Sequence, residues 1–204
     1  MTVRELRPNV YAVGAIDWDR RLFDELIPLP DGTSYNAYLV RGSEKTALID
    51  TVDPTKKRKL MENLNELGVK HINYVVSNHA EQDHSGSIPT VLEAFPDAKV
   101  MTNLRCKDLL KEMLLIRDER FITINEGEKI SLGDKTLEFI LAPWVHWPET
   151  MFTYLREDAT LFSCDFLGSH LATSNLYVTN EAMIREAAKR YYAEIMMPFR
   201  ATIR

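Results

Sequence analysis

His79-Ala80-Glu81-Gln82-Asp83-His84 is the stretch on which the reading of this chain turns. It crowds two imidazoles and two carboxylates into six residues, directly after a strand-like run over 72–77. So many polar and charged groups are costly to hold near an interior unless they are paired or bound to metal. On an extended chain, residues two apart lie on one side with about 6.6 Å between Cα atoms. His79 and Glu81 can therefore grip one ion together. Asp83 would stand about 13 Å from His79 on a straight chain, so it calls for a sharp bend or a second ion. Two ions about 3.5–4 Å apart, one for each half of the hexapeptide, meet both constraints.

Working outward, the pattern is of strands first and alternating elements later. Strands are predicted over 10–14, 34–40, 46–50 and 99–102, and then over 121–124, 129–132, 136–141, 150–155 and 159–164. Helices are predicted over 54–67, with Gly68 as its stop, over 86–95, and from a cap at Asn103 through 114. A last helix is predicted from about 181 to 196, ended by Pro198. Between the first strands, residues 17–32 carry two prolines and read as a functional loop or small flap. Strand-rich halves with helices outside suggest an α/β fold of two sheets sandwiched between helices.

The global numbers narrow the function classes. The chain has 204 residues and is 45% hydrophobic, enough for one large domain. Its net charge of −5, from 30 acidic and 25 basic residues, gives no reason to expect nucleic acid or an anionic membrane as partner. No apolar run approaches the roughly 18 residues that span a bilayer. Cys106 and Cys164 make no disulfide framework and suit a reducing, cytoplasmic setting. Lys56 to Lys59 is a basic run that reads as a solvated helix face.

Two later residues complete the chemical pattern. His146 follows the strand at 136–141, in Ala142-Pro143-Trp144-Val145-His146-Trp147-Pro148, and Asp165 follows the strand at 159–164. Loops beyond strand ends are where sites collect in layered α/β folds. Taken alone, a histidine between tryptophans is more often packed than ligating, and an aspartate after a strand is more often a turn residue. Beside the hexapeptide both become favoured ligands, and two carboxylate oxygens would let Asp165 bridge two ions.

Together these residues resemble the metallo-β-lactamase-like domain of flavodiiron proteins. The similarity extends to Gly32-Thr33-Ser34-Tyr35-Asn36-Ala37-Tyr38-Leu39-Val40, to His146-Trp147-Pro148-Glu149-Thr150-Met151, to Ile16-Asp17-Trp18-Asp19 and to Tyr191-Tyr192-Ala193-Glu194-Ile195, so it covers essentially the whole chain. It implies an αββα sandwich over residues 1–204 and a non-haem di-iron centre that reduces dioxygen to water, nitric oxide to nitrous oxide, or both. By carry-over one iron takes His79, Glu81 and His146, the other takes Asp83 and His84, and Asp165 bridges. Trp147, Met151 and His170 are the candidates for groups behind the ligands or facing a flavin. The family implies FMN on a C-terminal flavodoxin-like domain, head-to-tail homodimers, and a donor such as rubredoxin, a flavoprotein reductase or a reduced deazaflavin. Its last histidine ligand and its flavodoxin-like domain fall beyond Arg204, so the domain is expected to be C-terminally incomplete.

Two other readings stand beside this one. Hydrolytic relatives of the fold usually read His-x-His-x-Asp-His and hold zinc, which would make a zinc-dependent hydrolase. Glu81 argues against it, because an added hard, anionic ligand suits iron. A non-catalytic metal-binding subunit, completed by a partner chain, is the third.

Overall fold

The computed structural model describes residues 3–203. The first half contains β1 (Arg4–Arg7), β2 (Val10–Ala12), β3 (Ala15–Asp17), β4 (Leu22–Phe23), β5 (Ile27–Pro28), β6 (Thr33–Tyr35), β7 (Tyr38–Arg41), β8 (Thr46–Ile49), α1 (Lys57–Glu66) and β9 (Tyr74–Val76). There follow α2 (Gln82–Ser85), α3 (Ile88–Ala94), β10 (Lys99–Thr102), α4 (Leu104–Leu114) and β11 (Phe121–Thr123). The second half adds β12 (Lys129–Ser131), β13 (Thr136–Leu141), β14 (Met151–Leu155), β15 (Thr160–Phe162) and α5 (Glu181–Tyr191).

A seven-stranded sheet runs β1-β2-β7-β8-β9-β10-β11, and a four-stranded sheet runs β12-β13-β14-β15. The large sheet is antiparallel through β8 and parallel from β8 to β11. Parallel neighbours need a crossover, and α1, α3 and α4 supply them. Period-two alternation then sorts the side chains. Leu48, Val75 and Val100 meet Leu60, Leu64, Ile88, Val91 and Leu110 of the helices. From the opposite face Ala47, Ile49, Val76 and Met101 meet Leu137, Phe139, Met151 and Leu155 of the small sheet. On the small sheet's outer side Phe152 joins Phe166, Val145 and Tyr191 of α5. The layers are those of an αββα sandwich.

Four details differ from expectation. The run over 34–40 is not one strand: β6 pairs with β3, whereas β7 lies in the large sheet. The chain turns between them where Gly14 packs so closely that a Cβ there would lie 2.0 Å from the Tyr35 carbonyl oxygen. The segment over 17–32 holds the short β4–β5 hairpin. Arg4–Arg7 adds an unexpected edge strand. At the far end α5 stops at Tyr191, a π turn covers Tyr192–Met196, and Pro198 sits in a following 3₁₀ turn, where its missing N–H costs nothing. No helix of the described residues is long and apolar enough to cross a membrane.

Candidate metal centre

The C-terminal ends of the parallel strands β8 and β9 and of β13 and β15, alternate strands of the antiparallel small sheet, lead to one site. Asp50 follows β8, the hexapeptide follows β9, His146 follows β13 and Asp165 follows β15. Local geometry is forced there: Asp50, Trp144 and Cys164 have φ of 54°, 67° and 41°. For residues with a Cβ this left-handed region costs on the order of 1–3 kcal/mol each, a strain that collects at functional sites.

The hexapeptide bends rather than staying extended. His79 and Ala80 leave β9, Glu81 stands at the N-terminus of the single-turn α2, and the His84 N–H donates to the Glu81 carbonyl at 3.0 Å. Ser85 Oγ fastens the turn by donating to the Ala80 carbonyl at 2.6 Å. The bend places Asp83 and His84 on the same side as His79 and Glu81.

Two groups of donors result. His79, Glu81, His146 and Asp165 each offer an atom within 4.8 Å of the others, and so do Asp83, His84 and Asp165. In the first group Glu81 Oε2 lies 3.1 Å from His79 Nε2 and 3.3 Å from His146 Nε2. Asp165 Oδ2 lies 3.3 Å and 3.1 Å from the same two nitrogens. Bonds of about 2.1 Å to one ion put donors about 3.0 Å apart at right angles and about 3.4 Å apart at the tetrahedral angle. The observed spacings fall in that interval. The other oxygen of Asp165, Oδ1, faces His84 Nε2 at 2.8 Å, and Asp83 Oδ2 is 3.7 Å from that nitrogen. Asp83 Oδ1 is buried without a hydrogen-bond partner. These donors fit a pair of cations.

Among the protein's own groups, the imidazoles hold the balancing positive charge. Burial opposes protonation of His79, but its bonds to Glu149 and Glu81 push it up to about 10. Burial likewise opposes His146, which Asp165 and Glu81 raise to about 9. His84 is raised well above its usual value against burial, by Asp165 and Asp83. Despite burial, the imidazoles hold Glu81 and Asp165 below the usual carboxylate range. Asp83 moves the other way, to about 7, because burial and neighbouring acids outweigh His84.

The remaining candidates separate. Trp147 sets its ring edge-on to His79, 5.1 Å between centroids, and packs against the helix-side core. Met151 does not face outward: it is fully buried between the sheets, because alternation along β14 points it there. His170 stands outside both donor groups, with Nδ1 3.3 Å from Thr33 Oγ1 and its ring between Phe23 and Tyr191. Burial pushes its pKa down. With Asp83, His84, Asp165 and Tyr191 it lines a cavity of about 50 Å³.

Sequence reasoning missed the supporting groups. Glu149 Oε1 accepts from His79 Nδ1 at 2.7 Å and from the Ala80 N–H at 2.9 Å. Asp50 accepts from both the backbone and the side-chain nitrogen of Asn78, and Asn78 accepts from Thr153 Oγ1. Only the third dimension pairs Glu149 with a histidine 70 positions upstream. In sequence the one signal was that a carboxylate shares the His146 loop.

Comparison with known proteins gives concordant matches. The family model described as ODP family beta lactamase matches residues 33–203. A nitric oxide reductase of Moorella thermoacetica is 41% identical over 94% of this chain and 49% of its own length. A coenzyme F420H2 oxidase of Methanothermobacter marburgensis is 37% identical over 96% of this chain and 50% of its own. Among solved structures, the flavodiiron protein of Giardia intestinalis superposes with a TM-score of 0.93 at 32% identity, over 99% of this chain and 50% of that one. The rubredoxin oxygen:oxidoreductase of Desulfovibrio gigas also gives 0.93, at 31% identity over 98% and 51%. The chain thus spans about half the length of the curated relatives it matches.

Proposed function

The chain belongs to the ODP β-lactamase family, the metallo-β-lactamase-like domains of flavodiiron proteins, and from that premise we propose that residues 1–204 form one di-iron domain reducing dioxygen to water, nitric oxide to nitrous oxide, or both. His79, Glu81 and His146 would hold one iron, Asp83 and His84 the other, and Asp165 both. The observation that carries this reading is the division of Asp165, with Oδ2 toward His79 and His146 and Oδ1 toward His84.

Iron bound there would supply one-electron redox chemistry and open positions for a diatomic molecule. The protein's part is to hold three imidazole nitrogens and three carboxylates converged on one small volume. Glu81 and Asp165 add negative charge that favours the higher oxidation states of iron over a zinc-type imidazole set. Mixed histidine and carboxylate sets recur around paired irons elsewhere. Trp147 packs its ring nearly perpendicular to that of His79.

Electrons would come from FMN on a flavodoxin-like domain, carried by a second subunit of a homodimer. Reduced deazaflavin, rubredoxin or a flavoprotein reductase would recharge it. The names of the Methanothermobacter and Desulfovibrio relatives support such donors.

Metal analysis and oxygen or nitric oxide consumption with an added reductant test the proposal. Glu81→Ala is expected to weaken the first ion and abolish consumption while circular dichroism stays unchanged. Zinc in place of iron in the purified chain, or full turnover by the variant, would refute it.

A further inference from the structure

We propose that Glu149 is a positioning residue for the metal centre: it fixes the proton of His79 on Nδ1 and so commits Nε2 to the ion. The inference rests on the di-iron reading above and adds a role for a residue outside the donor set. Glu149 lies three residues after His146, and its side chain is wholly buried. Oε1 accepts from His79 Nδ1 at 2.7 Å, which leaves Nε2 pointing at Glu81 Oε2 and Asp165 Oδ2, 3.1 and 3.3 Å away. An imidazole held this way has one tautomer and one orientation.

A loop staple would be a simpler role, since Oε1 also takes the Ala80 N–H at 2.9 Å. Two observations argue against it as the whole account. The backbone at 149 is already held, by Asn103 Nδ2 donating to the Glu149 carbonyl at 2.6 Å, and Met151 N–H ties the same loop to the Asn78 carbonyl. A staple also needs only a neutral acceptor. A buried carboxylate is costly unless a positive charge compensates it, and Glu149 Oε2 is buried with no partner at all. The compensating charge comes through His79, whose Nδ1–H becomes a stronger donor when Nε2 binds a cation. One carboxylate thereby links the loop carrying His146 to the imidazole that shares its ion.

The test compares the wild-type chain and Glu149→Gln after chelator treatment, titrated with zinc alone and with ferrous iron alone. The glutamine keeps the shape and one acceptor but removes the charge. The tightest ion is expected to bind about 10–100-fold more weakly in the variant, while circular dichroism shows the metal-free variant still folded. In the zinc-loaded wild type, nitrogen-15 NMR is expected to show a slowly exchanging proton on His79 Nδ1. Equal zinc and iron affinity in the glutamine variant would overturn the proposal. So would a His79 proton on Nε2, a measurement that decides the matter even if the variant fails to fold. A wild-type chain that binds neither metal would instead bring down the di-iron reading itself.

Discussion

At the scale of single residues the centre depends most on Asp165, because its two oxygens serve two sets of neighbours. The donor groups are unequal: four side chains converge in the first and three in the second, with Asp165 common to both. The first ion should therefore bind more tightly than the second. Asp165→Asn keeps the side chain's size but removes its charge and one acceptor. It is expected to weaken both ions, whereas Glu81→Ala weakens chiefly the first. Metal-to-protein ratios after gel filtration check this, and an asparagine variant that retains both ions would refute the sharing. The hexapeptide, His146 and Asp165 were legible as a set because their residue types and strand-end positions agree. Glu149, Asp50 and Asn78 were not, because acids and amides are common in turns. Nothing local marks the ones that face a histidine.

At the scale of elements, alternation and periodicity carried most of the information. The strands that became β8, β9, β10, β13 and β14 were readable because each buries alternate residues against a different layer. The failures share a cause: partners distant in sequence decide them. Residues 34–40 keep strand composition throughout, yet the close approach of Gly14 to Tyr35 divides them between two sheets. The hexapeptide, by contrast, makes the sharp bend that its spacing allowed, because Ser85 and the Glu81 carbonyl close a single helical turn locally. The sandwich itself invites a test remote from the metal. Phe139 is fully buried between the sheets, near Met101, Met151 and Leu155. Phe139→Ala removes this packing and is expected to cost about 3–5 kcal/mol of stability. Urea denaturation measures the loss, and metal stoichiometry at low temperature should be unchanged, since no donor belongs to that layer. A loss below about 1 kcal/mol would mean that the sheets repack freely.

At the scale of the whole molecule, protons and metal ions compete for the same buried nitrogens, and the sign of that competition is fixed. In the chain stripped with chelator, His79 and His146 titrate near 10 and 9, above the roughly 6.5 of an unfolded histidine. Groups with raised folded values bind more protons in the native state, so the stability they confer is full below about pH 6.5. It is lost as pH rises toward 9 and 10. Asp83, raised to about 7, acts in the same sense at lower pH. Glu81 and Asp165, held low by the imidazoles, contribute the opposite dependence, lost only as pH falls below the usual carboxylate range. The stripped chain should therefore be most stable in mild acid and should weaken steadily on the alkaline side. Metal reverses the trend, because binding requires unprotonated imidazole nitrogens and releases their protons. Its stabilisation grows as the dissociation constant falls with rising pH. The difference in melting temperature between zinc-loaded and stripped protein is thus expected to widen from pH 6 to pH 9, with proton release on zinc addition visible to a pH indicator. A constant difference, or zinc uptake without proton release, would mean that these histidines do not hold the ion.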